Sequence, residues 1–127
     1  MVKTKRATAP SLPRPLGIER FEAMPFDEVV AALGTPHHER AALWTLVAAG
    51  PEAVEAVKLG LESPNAAVRR GCCEYLDLYG DDEAAEAMSR LLEDSDDQVR
   101  WMAAHALSCE RCKTENTWIK RQHERHI

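Results

Sequence analysis

Apolar residues recur along this chain at helical rather than strand spacing. Val54, Val57 and Leu61 mark one face of a helix predicted over residues 51–62, opened by Pro51, whose missing N–H is harmless in a first turn. The turn Ser63-Pro64-Asn65 leads to a helix predicted over residues 66–79. There Val68, Cys72, Tyr75 and Tyr79 fall within about 40° of one another at roughly 100° per residue, with Leu76 on the flank. Gly80 ends this helix and Asp81 is placed to cap the next, over 82–93, whose apolar residues are Ala84, Ala87, Met88, Leu91 and Leu92. Asp94-Ser95-Asp96 forms a further turn before a helix over 97–109. Upstream, Asp27 is placed to cap a short helix over 28–33, broken at Gly34-Thr35-Pro36. A helix over 38–49 follows, carries Ala42, Leu43, Leu46 and Val47, and stops at Gly50.

The pattern is itself periodic. VRWMAAHAL from Val99 aligns with VRRGCCEYL from Val68 at a spacing of 31 residues. Val68/Val99, Arg69/Arg100 and Leu76/Leu107 are identical pairs, and Cys72/Ala103 and Cys73/Ala104 are both small. A fixed period near 30 marks a solenoid, in which each unit buries its apolar face against its neighbours. The expected fold is therefore all-α, an α-solenoid of about three antiparallel helix pairs. Residues 1–17, basic and proline-rich, read as an extended or disordered arm, and residues 18–112 as the repeat domain, with a short helical turn over 18–24. Residues 113–127 form a tail whose Trp118 and Ile119 suit a C-terminal capping helix.

The composition fits one soluble domain with a modest core: 127 residues, 45% hydrophobic, 29% charged, net charge −5. The longest apolar run, 41–49 around Thr45, is far short of the roughly 20 residues that span a bilayer. No apolar stretch follows Lys3, Lys5 and Arg6, so a secretory signal is not expected, and the reading is a cytoplasmic protein with reduced thiols. Residues 1–20 carry five basic and one acidic group, 21–110 six basic and eighteen acidic, and 111–127 five basic and two acidic. An acidic body argues against nucleic acid, because phosphate neutralisation needs a basic stripe on the folded surface. It suits a protein partner with a basic surface, or serves only to keep the helices solvated.

A loop Asp, then Val-Arg, then small residues and Leu at Ala103, Ala104, Ala106 and Leu107 resembles the HEAT repeat. The likeness is greatest to the short bacterial kind grouped with the phycobilin-lyase HEAT-like repeats. It is strong over 94–107, good over 54–76, and weak over 28–49, where His38 stands near the Val position. It implies three HEAT-like helix pairs in a solenoid that binds other proteins, with Val68, Arg69, Leu76, Val99, Arg100 and Leu107 as repeat residues. It also implies that an arginine at the Arg69 and Arg100 positions ties a loop acid of a neighbouring repeat, with Asp94, Asp96 and Asp97 as candidates for Arg100. A phycobilin-lyase-like role, holding a chromophore or its acceptor protein, would share only the repeat type. His38-Glu39 and His123-Glu124 resemble the iron-binding dipeptides of deoxyhypusine hydroxylase, but they are out of register and a diiron site needs four. No P-loop, serine-nucleophile motif or paired carboxylates stand out, so no catalysis is expected.

Four features carry candidate chemistry. Cys72 and Cys73 occupy the Ala103 and Ala104 positions, as core filler or as a vicinal disulfide or thiol switch. Cys109 and Cys112 form Cys-x2-Cys at a helix C-terminus, where the helix dipole opposes thiolate and disfavours redox work. With His105 one turn earlier and His123 or His126 from the tail they make a possible zinc set; otherwise Cys109 packs like Leu78 and Cys112 lies in a turn. Trp101 falls about 200° around the helix from Val99, at the position of Arg70. It is either covered, by the tail or by a second copy in a homodimer, or an exposed anchor in a partner-binding patch with Arg70 and Asp77. The resulting expectation is a non-catalytic protein-binding scaffold needing no cofactor, the alternative being a zinc-binding or zinc-sensing domain.

Overall fold

A computed structural model of the chain describes residues 17–108. Its regular elements are all helical among the described residues. A 3-10 turn, Ile18–Phe21, precedes α1 (Phe26–Ala32) and α2 (Glu39–Ala49). A second 3-10 turn, Gly50–Ala53, leads into α3 (Val54–Gly60), which is followed by α4 (Ala66–Tyr79). Then come α5 (Asp82–Arg90), a 3-10 turn Leu91–Glu93, and α6 (Asp97–Ser108). The helices pair as α1/α2, α3/α4 and α5/α6. Second helices stack on one another, most extensively α4 on α6, while α1 packs on α3 in the other layer. These are the three helix pairs the periodicity predicts. The arm over 1–16 and everything from Cys109 on, the tail and Cys112 included, lie outside the described residues.

Several boundaries differ from the sequence reading for local reasons. Asp27 does not cap α1: Pro25, extended at φ −59° and ψ 150°, does, and its carbonyl accepts from the N–H groups of Glu28 and Val29. Asp27 and Glu28 instead lie in the first turn, where the helix dipole favours acids. The helix predicted over 51–62 begins as a 3-10 turn around Pro51, and the one predicted over 82–93 ends as one. That final tightening turns Leu92 outward, 42% exposed, while Leu91 stays buried. In α4, Leu76 is the buried residue and Tyr79 only half-buried, the reverse of the expected order.

The core runs through both layers. Val57, Leu61, Val68 and Leu76 of the middle pair lie between Val29, Leu33 and Leu46 on one side and Met88, Val99 and Met102 on the other. Cys72, Cys73 and Ala103 are fully buried, so the small positions of the repeat admit close helix approach. Both thiols are free. Burial pushes Cys73 up to about 12 and Cys72 higher still, so neither offers thiolate at neutral pH. Gly60 completes the contact from α3: a Cβ there would lie 2.5 Å from Cys72 Sγ and 2.7 Å from Val30 Cγ1. Tyr75 and Tyr79 close the end of α2, their hydroxyls donating to the carbonyls of Gly50 at 2.6 Å and Val47 at 3.3 Å. Gly50 reaches this geometry at φ 75° and ψ −153°, a region open only to glycine.

Hydrogen bonds repeat with the sequence. Asn65 caps α4 by accepting from the N–H groups of Ala67 and Val68, and Asp96 caps α6 by accepting from Gln98 and Val99. Arg69 Nη1 donates to the Ser63 carbonyl at 2.8 Å, and Arg100 Nη1 to the Asp94 carbonyl at 2.7 Å. Arg69 alone also reaches forward, Nη2 to Asp94 Oδ2 at 2.9 Å, with side chains only 14% and 9% exposed. The inter-repeat tie is thus made by Arg69. Among the described residues Arg100 holds the Asp94 carbonyl of its own loop, while the Asp94 carboxylate points back to Arg69 of the preceding repeat.

Two predictions follow from this packing. Gly60→Ala should destabilise by about 1–3 kcal/mol in urea unfolding, since its methyl meets a close-packed wall. The Arg69 guanidinium, helped by the Asp96 N–H and opposed by burial, holds the Asp94 carboxyl below the usual carboxylate range. Its stabilisation is therefore complete above the ordinary value near ~3.9 and is lost as pH falls through the lower folded value. Asp94→Asn should cost about 2–3 kcal/mol at pH 7. The gap to wild type should narrow progressively in unfolding experiments below about pH 4.

Candidate functional site

The outward face of the second-helix layer gathers the chemistry. Arg70, Glu74 and Asp77 follow one stripe of α4 at i, i+4 and i+7, and Gln98, Trp101 and His105 follow the matching stripe of α6. The 31-residue spacing places Glu39, Arg70 and Trp101 at one repeat position, and Glu74 and His105 at another. Stacking α2, α4 and α6 therefore lays Glu39, Arg70 and Trp101 in a row.

Arg70 bridges the row. Nη1 donates to Gln98 Oε1 of α6 at 2.6 Å, and Nη2 lies 3.5 Å from Glu39 Oε1 of α2. Trp101 is 65% exposed, an unusual exposure for a tryptophan. It lies flat on the His105 imidazole, ring centroids 5.2 Å apart and planes 5° apart. His105 Nε2 in turn faces Asp77 Oδ2 at 3.4 Å, an ion pair when the imidazole is protonated. Asp77 is 6% exposed. It does not present itself to a partner, as the sequence reading expects, because the turn of α4 aims it under His105. Its place is to brace the ring on which Trp101 rests.

Glu74 is held against its own charge. Burial pushes its carboxyl above the usual range, and Glu39 and Asp77 push the same way against the pull of Arg70. Trp101 and Arg70 lie on one outward face together with Glu39, Glu74, Gln98 and His105, which sequence reading did not place there. The signal was available one residue beyond the Arg69/Arg100 alignment, in the step from Glu39 to Arg70 to Trp101.

Of the zinc set, His105 stacks on Trp101 and lies 3.4 Å from Asp77, and Cys109 and Cys112 fall outside the described residues. Among the described residues no three His, Cys, Asp or Glu side chains converge as a metal site. Nor is any described helix long and apolar enough to cross a membrane.

A stack of helix hairpins with buried small residues and repeated loop bonds defines an α-solenoid. The HEAT repeats family model matches residues 26–108, more than half of the chain, and the protein belongs to that family. No curated protein and no solved structure matches it.

The Glu74 geometry has a consequence for stability. A carboxyl whose folded value is raised binds its proton more tightly in the folded state, so its ionisation costs stability as pH rises through the ordinary value near ~4.3. Glu74→Gln should melt higher than wild type at pH 7, and the advantage should disappear below about pH 4.

Proposed function

We propose that the protein is a non-catalytic scaffold of the cytoplasm that binds another protein through the second-helix face, with Trp101 as the anchor. HEAT repeats commonly act as protein-interaction scaffolds, which supports the class. The observation that carries the site is the exposed Trp101 ring held flat on His105. A large amphipathic ring already confined by stacking loses little conformational freedom on binding, which is why tryptophan dominates interface energetics. Around it Arg70, Glu39 and Gln98 supply a polar rim whose members are already oriented by one another. The acidic body favours a partner that brings basic side chains to that rim.

Photo-cross-linking tests this reading. A photoreactive side chain replacing Trp101 in the full chain, in lysate of the encoding organism, should form a discrete protein adduct that the same probe at Glu93 does not form. Excess wild-type protein should suppress that adduct, and Trp101→Ala should compete about thirtyfold less well, as for a central aromatic anchor. Equal competition by wild type and Trp101→Ala would sink the assignment.

A further inference from the structure

The first-helix layer carries a second surface with different chemistry. α1 packs closely on α3, but α5 stands off from it, and the gap is a groove of about 410 Å³ between α3 and α5. Two apolar side chains stand among its lining residues. Leu59, 76% exposed, is the most exposed large apolar residue among those described, and it lies there beside Ala87. The walls are acidic, with Glu55 and Glu62 on one side and Glu83 and Glu86 on the other.

The two cations of the groove compensate only part of that acidity. Lys58 Nζ lies 2.6 Å from Glu83, 3.1 Å from Asp81 and 3.2 Å from Glu55, so its one positive charge is shared among three carboxylates. Burial opposes that charge, yet the three hydrogen bonds hold the amine above its ordinary range. Arg90 is the only other cation in the lining. Glu62 and Glu86 make no ion pair among the described residues, and they flank Leu59 and Ala87.

We propose that this groove docks a short basic segment of a partner protein, a large apolar side chain resting on Leu59 and Ala87 with Lys or Arg on either side facing Glu62 and Glu86. Apolar contact supplies the affinity, and the unpaired acids supply selection for a basic segment. No residue is shared with the Trp101 face, so this goes beyond the reading above and stands or falls separately from it.

The probe is a ten-residue peptide with a central leucine flanked by lysines and arginines, titrated into the isotope-labelled full chain and followed by amide chemical shifts. Shifts should cluster on α3 and α5. Leu59→Ser, and separately Glu62→Gln with Glu86→Gln, should weaken binding about fivefold or more, while Trp101→Ala should leave it unchanged. Leu59 contributes little to the core, so its variant should keep the wild-type circular dichroism. Shifts centred elsewhere, equal binding of a peptide with glutamates for its basic residues, or variant affinities within about twofold of wild type would overturn the proposal. So would affinity that rises when Lys3→Glu, Lys5→Glu and Arg6→Glu are introduced together, because the groove would then belong to the chain's own basic arm.

Discussion

The ion pair between Arg69 and Asp94 joins one repeat to the next, and much of the structure takes its register from it. One guanidinium grips the Ser63 carbonyl of its own loop and the Asp94 carboxylate of the following loop. The same Asp94 oxygen accepts the Asp96 N–H, and Asp96 then caps α6. Orienting α4 and beginning α6 are therefore parts of one hydrogen-bonded unit. A nearly buried pair of this kind stabilises little relative to an apolar replacement, but losing one partner is costly. Its consequence here is positional: α6 cannot slide along α4 without breaking the Arg69–Asp94 bond that joins the two loops.

That register decides which side chains become neighbours on the open faces. With α6 tied to α4 at this point, Trp101 falls in line with Arg70 and His105 comes over Asp77, and Glu39 joins the row from α2 through its pair with Arg70. None of these residues is close to the others in sequence except within a helix. A slip of one residue would turn α6 by about 100° and carry Trp101 away from the row. The Trp101 face is in this sense a product of the loops, although no loop residue belongs to it.

Much of this was legible in the sequence, for a physical reason. Solenoid repeats satisfy the same packing problem several times, so Val68/Val99, Cys72/Ala103 and Leu76/Leu107 announce their environment by recurrence. Helix ends were legible where a side chain caps, at Asn65 and Asp81, and illegible where the backbone alone does the work, at Pro25 and in the 3-10 turns. The direction of the arginine tie was not legible either. Arg100 sits amid Asp94, Asp96 and Asp97, yet proximity in sequence says nothing about which way a loop carboxylate turns. The role of Asp77 was hidden likewise, since its burial depends on α6 lying over α4. The α3/α5 groove left no sequence signal at all, because it arises from the spacing between two helices and not from the face of one.

Three side chains on the outward faces stand apart from the packing that surrounds them. Leu59 shares α3 with the fully buried Val57 yet faces water, and Trp101 shares α6 with the fully buried Val99 yet does the same. Glu74 lies beside the core residues Cys73 and Tyr75 and keeps a charge that its surroundings disfavour. Leu59 and Trp101 contribute little buried area to the core, and a neutral residue at 74 would avoid the cost of a charge its surroundings disfavour. Each lies on an outward face rather than between layers, and together they mark two faces of opposite layers, one built around a stacked aromatic and one around an acidic groove. A solenoid leaves both layers open along its length, so the two faces share no residue and either can be altered without touching the other.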